Sequence, residues 1–267
     1  MTARNLVLVR HGESRTNATS TFQAGDQYAT DPLTERGERA AEELAERFAG
    51  LSVDVVLSSG YLRARMTAAR IAATSGAPHV VPAVGPEGVV DRSADDVGAG
   101  GRRSLLREID VPTELEGLRF DDPRARAIQR AALAVSEQPG AHHSDEENLH
   151  DLWQRAEAIR LYLEGREESL TVVVAHGGIL KVLLAHLMFT AVDGLDSAGE
   201  LAAYRGFTRL GWWDNTGAVS LRFTPGTGWL WLMTDIDHLH PAYFGFMPAE
   251  GTKAPDEGAE YLGRRRG

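Results

Sequence analysis

The chain has 267 residues, 43% hydrophobic and 25% charged, with 28 glycines, 11 prolines and no cysteine. These proportions exclude a wholly disordered or fibrous chain, and the lack of thiols excludes disulfide scaffolds, zinc–thiolate sites, cysteine-ligated iron–sulfur clusters and cysteine nucleophiles. Thirty-eight acidic against 28 basic residues give a net charge of −10, which disfavours binding to a nucleic-acid backbone over a broad surface but leaves room for a local basic pocket. Of the basic residues only Lys181 and Lys253 are lysine. Arginine is so common that each one needs local support before it is given a role.

Asn5–Val9 is a short aliphatic run, the pattern of a strand buried on both faces. It is too short for a signal-peptide core, and no apolar run approaches the roughly 20 residues of a membrane span, so a soluble, cytoplasmic protein is expected. Thr34 is a helix N-cap before Ala40, Ala41, Leu44, Ala45 and Phe48, whose spacing predicts a helix to about Ala49. Val53–Leu57 reads as a second buried strand, Tyr61–Thr74 as a helix and His79–Pro82 as a third strand. The Gly- and Pro-rich stretch 84–103 reads as a surface excursion. Helices are expected over Asp122–Val135 and Glu146–Leu163. Leu170–Ala175 is the clearest buried strand, followed by a helix over Gly178–Phe189 and strands at Val219–Phe223 and Trp229–Thr234. The expectation is an α/β fold, a three-layer sandwich with a mainly parallel sheet flanked by helices. One domain would cover 1–239, with the excursion near 84–104, and 240–267 would be a docked or poorly ordered tail.

Open α/β sheets bind ligands beyond the carboxyl ends of their strands. Three predicted strands end in polar sequence there: Arg10-His11-Gly12, Ser58-Ser59 and His176-Gly177-Gly178. If these strands are neighbours, Arg10, His11, Arg63 and His176 converge on one crevice. Two histidines beside two arginines need compensating negative charge, and a bound phosphate supplies it, because guanidinium forks match phosphate oxygens.

Arg-His-Gly alone is a pattern that chance supplies, but its surroundings are specific. Leu6 to Ser14 with Asn17 resembles the N-terminal signature of the histidine phosphatase superfamily, the phosphoglycerate-mutase-like proteins. Asp31-Pro32-Leu33-Thr34-Glu35-Arg36-Gly37 resembles that family's Leu-Thr-x-x-Gly helix start. Ser59 to Ala68 is similar to its Ser-Pro-Leu-x-Arg-Ala-x-Gln-Thr-Ala segment, with Gly60 and Tyr61 where the proline is missing and Met66 for the glutamine. Glu147-Asn148-Leu149 with Arg155, Val174 to Gly178, and Asp235 to Leu239 resemble the remaining motifs, in family order.

The resemblance implies a phosphoglycerate mutase-like fold and assigns roles. His11 would be the nucleophile that carries the phosphoryl group as phosphohistidine, with its other ring nitrogen held by a backbone carbonyl. Arg10, Arg63 and His176 would clamp the phosphate, with Asn17 as a neutral donor. For Arg63, the rivals are Arg65 and Arg70 as solvated surface residues. Glu108, in Leu105-Leu106-Arg107-Glu108, matches the family's acid segment, with Asp110, Glu114 and Glu116 as competitors. Gly12 is either a close backbone approach or a plain strand-end turn.

The reading is a metal-independent phosphatase acting on a small phosphorylated metabolite, with no cofactor, nucleic acid or membrane. The alternatives are a mutase-type phosphotransferase and a non-catalytic phospho-ligand binding module. A metallohydrolase built on His142, His143, Asp145, Glu146 and His150, or on Asp235, Asp237, His238 and His240, is a further rival, with surface solvation as the bland reading of both clusters. Segments 84–103 and 192–210 are candidate lids. Trp212, Trp213, Trp229 and Trp231 could form aromatic platforms for a ligand, and packing in the core is the expected default. Neither the substrate nor the oligomeric state is legible.

Overall fold

The computed structural model describes residues 3–23, 29–84, 90–91, 103–189, 199, 202, 204 and 213–235. Most of the excursion near 84–104, most of the candidate lid at 192–210, Trp212, the second histidine cluster beyond Asp235, and the tail lie outside them. In chain order the first elements are β1 (Arg4–Arg10), α1 (Arg15–Thr19), α2 (Glu35–Glu46), β2 (Val55–Ser58), α3 (Leu62–Ser75) and β3 (His79–Val80). Three short strands follow, β4 (Ala83–Val84), β5 (Val90–Asp91) and β6 (Arg103–Ser104), and pair as a small antiparallel sheet. The rest are α4 (Pro123–Val135), α5 (Leu149–Glu164), β7 (Leu170–Ala175), α6 (Gly177–Phe189), β8 (Ala218–Thr224) and β9 (Gly228–Asp235).

The main sheet has six strands in the order β3-β2-β7-β1-β8-β9. It is parallel from β3 to β1, and β8 and β9 are antiparallel. β8 and β9 are joined by a tight turn through Gly226 and Gly228, both at positive φ, whereas parallel neighbours need a crossover. β7 sits between β2 and β1, with Val173 opposite both Leu57 and Leu8.

Alternation explains why the central strands are continuous apolar runs. Leu6, Leu8, Val55, Leu57, Val173 and Ala175 point to one face, where Ile159 and Leu163 of α5 and Ile179, Leu180 and Leu183 of α6 cover them. Val9, Val56, Val172 and Val174 point to the other, against Leu44 and Phe48 near the end of α2 and Ala64, Ala68 and Ile71 of α3. A sheet covered on both sides has no face for polar residues, so the strands lose the period-two signature. The three-layer α/β architecture agrees with the expectation from sequence.

The differences are local. The second strand starts at Val55 because Asp54 is spent outside the ladder, its N–H donating to Leu170 O and its carboxylate accepting from Leu170 N. α5 starts at Leu149, three residues later than expected, because Asn148 caps it reciprocally with Asp151. Trp213 is buried and Trp229 packs against the core, but Trp231 is 39% exposed on the edge strand β9. The expectation of a core position fails there: among the described strands β9 is at the edge of the sheet. Among the described residues no helix is long and apolar enough to cross a membrane.

Leu57 is fully buried between β7 and the α5–α6 layer. Leu57→Ala is expected to cost about 2–5 kcal/mol of unfolding free energy, read from urea denaturation. A loss below about 1 kcal/mol would contradict this packing.

Candidate active site

Adjacency of β2, β7 and β1 brings their carboxyl ends side by side, and the ladder continues one residue past each strand. His11 N donates to Ala175 O at 3.0 Å, and Ser59 N donates to Val174 O at 3.0 Å. His176 follows β7 directly and precedes α6. The turn after Ser59 leads into α3, whose second residue is Arg63. It is 1% exposed, whereas Arg65 is exposed and Arg70 pairs with Glu38 and Glu42. Register on the helix therefore separates Arg63 from its rivals.

His11 is buried, and its Nδ1 lies 2.6 Å from the carbonyl oxygen of Gly12. A carbonyl only accepts, so Nδ1 carries the hydrogen and Nε2 keeps its lone pair. Arg63 Nε donates to that Nε2 at 3.2 Å. The loop holding this ring is tightly determined. Gly12 N donates to Thr67 Oγ1 at 3.0 Å, and a Cβ at Gly12 would come within 2.6 Å of Gly37 O. Gly12 is thus a close backbone approach, with Gly37 as its partner. From the other side, Asn215 Nδ2 donates to His11 O at 2.9 Å and Thr216 N to Arg10 O at 3.0 Å.

His176 is fully buried, its ring centroid 5.0 Å from that of His11 and 5.1 Å from that of Tyr61. Its Nε2 lies 2.8 Å from Ser59 Oγ. Arg10 runs past Gly177 and donates to Trp213 O at 2.5 Å. Asn17 accepts at Oδ1 from Ser14 N and from Asn215 Nδ2, so its amide NH₂ is the end not engaged by these bonds. Ser14 caps α1, and Glu13 accepts from the Thr34 hydroxyl and pairs with Arg36, which gives both residues structural work in the loop.

The Arg63 guanidinium also lies over the Tyr61 ring at 5.1 Å, a cation–π distance. Burial, then the positive charges of Arg63 and Arg10, hold the His11 imidazole well below its ordinary pKa of 6.5. Burial, then Arg63, His11 and Arg10, do the same to His176. Burial pushes the Tyr61 phenol up.

Glu108 reaches the start of α6. Its carboxylate accepts from Gly178 N at 3.2 Å, Ile179 N at 3.1 Å and Ile109 N at 2.9 Å. An anion at a helix N-terminus is favourable, and here it stands two residues from His176. A Cβ at Gly178 would come within 2.5 Å of Glu108 Oε1, so the glycine makes this contact possible. The competitors are engaged elsewhere. Asp110 pairs with Arg103 and Arg107, Glu114 bonds His143, and Glu116 is exposed. Glu147 bridges Arg107 at 2.5 Å and Arg155 at 2.7 Å, and Arg155 donates to Arg107 O at 2.7 Å. This network fastens the Glu108 segment to α5.

The first histidine cluster dissolves into pairs, His142 with Asp151 and His143 with Glu114. Among the described residues no group of three or more His, Asp or Glu could hold a metal ion. Sequence reasoning overlooked Ser59 and Thr67 as contacts, although both lie inside the quoted motif. Asn215 and Thr216 carried only a turn signal, and nothing in it points to a residue 204 positions upstream.

Two outcomes follow from this geometry. At pH 6.5, where an ordinary histidine is half protonated, His11 and His176 are expected to be neutral, since their depressed pKa values place protonation at lower pH; ¹⁵N NMR of the rings checks this. Glu147→Ala leaves Arg155 buried without its carboxylate and is expected to cost about 3–5 kcal/mol in denaturant unfolding.

Comparison with known proteins places this arrangement. The family model of the histidine phosphatase superfamily (branch 1) matches residues 6–83 and 101–228. The 2,3-bisphosphoglycerate-dependent phosphoglycerate mutase of Brucella ovis is 31% identical over 206 residues, 72% of this chain and 83% of that protein. Among solved structures, phosphoserine phosphatase from Entamoeba histolytica in complex with 3-phosphoglyceric acid has a TM-score of 0.59 at 20% identity, covering 89% of this chain and 100% of that one. The mycobacterial glucosyl-3-phosphoglycerate phosphatase has a TM-score of 0.57 at 23% identity, covering 86% and 97%. These structural likenesses bear on the fold, while the family match rests on the sequence itself. The chain belongs to the histidine phosphatase superfamily, branch 1.

Proposed function

We propose that the protein is a phosphatase that hydrolyses a small phosphorylated metabolite through a phosphohistidine on His11. One observation carries the reading: Arg63 Nε lies 3.2 Å from His11 Nε2, with the His176 ring 5.0 Å from that of His11, so an attacking nitrogen and phosphate-binding donors share one buried spot. His11 Nε2 attacks phosphorus as the bond to the leaving oxygen breaks. Glu108, protonated for this step, gives that oxygen its proton and becomes the carboxylate. Water then attacks the phosphohistidine, Glu108 takes the proton from water, and the nitrogen–phosphorus bond breaks to return the electron pair to Nε2. Arg10, Arg63, His176 and the Asn17 amide bind the equatorial oxygens, whose charge is largest while the group is in flight. The Arg10 and Arg63 guanidinium groups supply the positive charge, so the reaction as proposed uses no metal and no cofactor.

Hydrolysis is favoured over transfer by the Asp31-Pro32-Leu33-Thr34 segment, which resembles the phosphatase branch. The second reading is a mutase, favoured by the name of the 31%-identical relatives. Release of inorganic phosphate from phosphomonoesters, with no bisphosphorylated cofactor added, is the expected result. Interconversion of phosphoglycerates without phosphate release would favour the mutase instead, and phosphate-competed binding without turnover would favour a binding module.

His11→Ala is expected to abolish turnover, and retention of full activity would sink the proposal. Glu108→Gln is expected to lower kcat on alkyl phosphates by about 10²–10⁴-fold. The loss should be far smaller on p-nitrophenyl phosphate, whose leaving group departs without a proton. Equal losses on both substrates would remove Glu108 from the acid role.

A further inference from the structure

Building on the reading of this cleft as a phosphate site, we propose that Ser59 is a positioning residue whose hydroxyl donates to His176 Nε2 and holds His176 as the Nδ1–H tautomer, a hydrogen-bond donor for the phosphoryl oxygens. The hydroxyl of Ser59 is fully enclosed and has one hydrogen to place. Tyr61 N donates into it at 3.3 Å, which fills a lone pair. On its other side lies His176 Nε2, at 2.8 Å. Among the described residues that hydrogen has no other acceptor, so it goes to the imidazole, and Nε2 accepts.

A neutral ring carries one hydrogen, which is then on Nδ1. His176 is held neutral by burial and by the surrounding cations. Nδ1 is itself buried and has no hydrogen-bond partner among the described residues. A buried N–H without an acceptor is costly, and an anionic oxygen in the cleft would relieve it. The opposite tautomer would strand both the Ser59 hydroxyl hydrogen and the Nδ1 lone pair.

Ser59 is well placed to impose this choice. Its N–H donates to Val174 O, and its carbonyl accepts from Ser58 Oγ at 2.9 Å. Gly60 N donates to Ser104 Oγ at 3.0 Å, a bond that the proline usual at this position of the family motif could not make. The two adjacent histidines thus carry the same tautomer for opposite purposes. The Gly12 carbonyl accepts from Nδ1–H of His11 and leaves its Nε2 lone pair turned toward Arg63 in the cleft, while Ser59 donates to Nε2 of His176 and leaves that ring's Nδ1 hydrogen to donate.

The test is ¹H–¹⁵N multiple-bond NMR of the ¹⁵N-histidine-labelled wild-type protein at neutral pH, with the His176 signals assigned by loss in His176→Asn. The expected signature is a protonated Nδ1 and an unprotonated Nε2; the reverse pattern overturns the proposal. In Ser59→Ala the His176 signature is expected to shift toward the other tautomer, with the His11 signals unchanged. Inhibition by inorganic phosphate should weaken by about 10-fold, the worth of one hydrogen bond. An unaltered His176 signature with unaltered phosphate inhibition in Ser59→Ala would also overturn it. A wild type that shows the Nδ1–H signature but hydrolyses no phosphoester would support the tautomer assignment while counting against the phosphatase reading.

Discussion

The cleft is organised around the bond between His11 Nδ1 and the carbonyl of Gly12, because that bond decides which ring nitrogen is left with a lone pair. A carbonyl can hold this position only if the chain turns sharply just after β1, and the turn needs a residue without a Cβ against the backbone of Gly37. Gly37 is subject to the same demand, since a Cβ there would collide with Glu13. The N-terminal signature and the helix start at Thr34 are therefore one structural unit, joined where two glycine backbones touch. Thr67 of α3 and the 215–216 loop close the remaining sides.

Electrostatics divide the arginines into two groups with different work. Arg107 and Arg155 meet Glu147 and fasten the acid segment to α5. Arg10 and Arg63 lie instead beside the two histidines and depress both of them. Concentrating positive charge in a low-dielectric crevice keeps the imidazoles uncharged. Glu108 is held by the first N–H groups of α6, the helix that begins directly after His176. The overall negative charge of the chain does not conflict with an anion site, because the local field is set by these few groups.

Much of this was legible in advance, for reasons that can be named. Leu170–Ala175 reads as a strand because a sheet covered on both sides demands an uninterrupted apolar run, and the strand-end residues follow by position. The motifs at His11, Arg63 and His176 are short and ordered along the chain, so each could be numbered. Trp231 was misjudged because an edge strand has the same local sequence as an inner one. Glu108 and Asp110 are two residues apart, and only their partners, helix N–H groups for one and guanidinium groups for the other, tell them apart.

The sequence by itself determined the main strands and helices of the central sheet and its layers, the α/β class and the motif residues at the strand ends, because periodicity, capping and short motifs are local properties; α1 and the small β4–β6 sheet carried no such signal. The tertiary structure alone decided that β7 inserts between β1 and β2, that Asn215 reaches His11 across 204 positions, and that Ser59 meets His176. Those facts depend on which strands pair and on where distant loops pass. Contact between residues far apart in the chain follows from how layers pack, which no local pattern encodes.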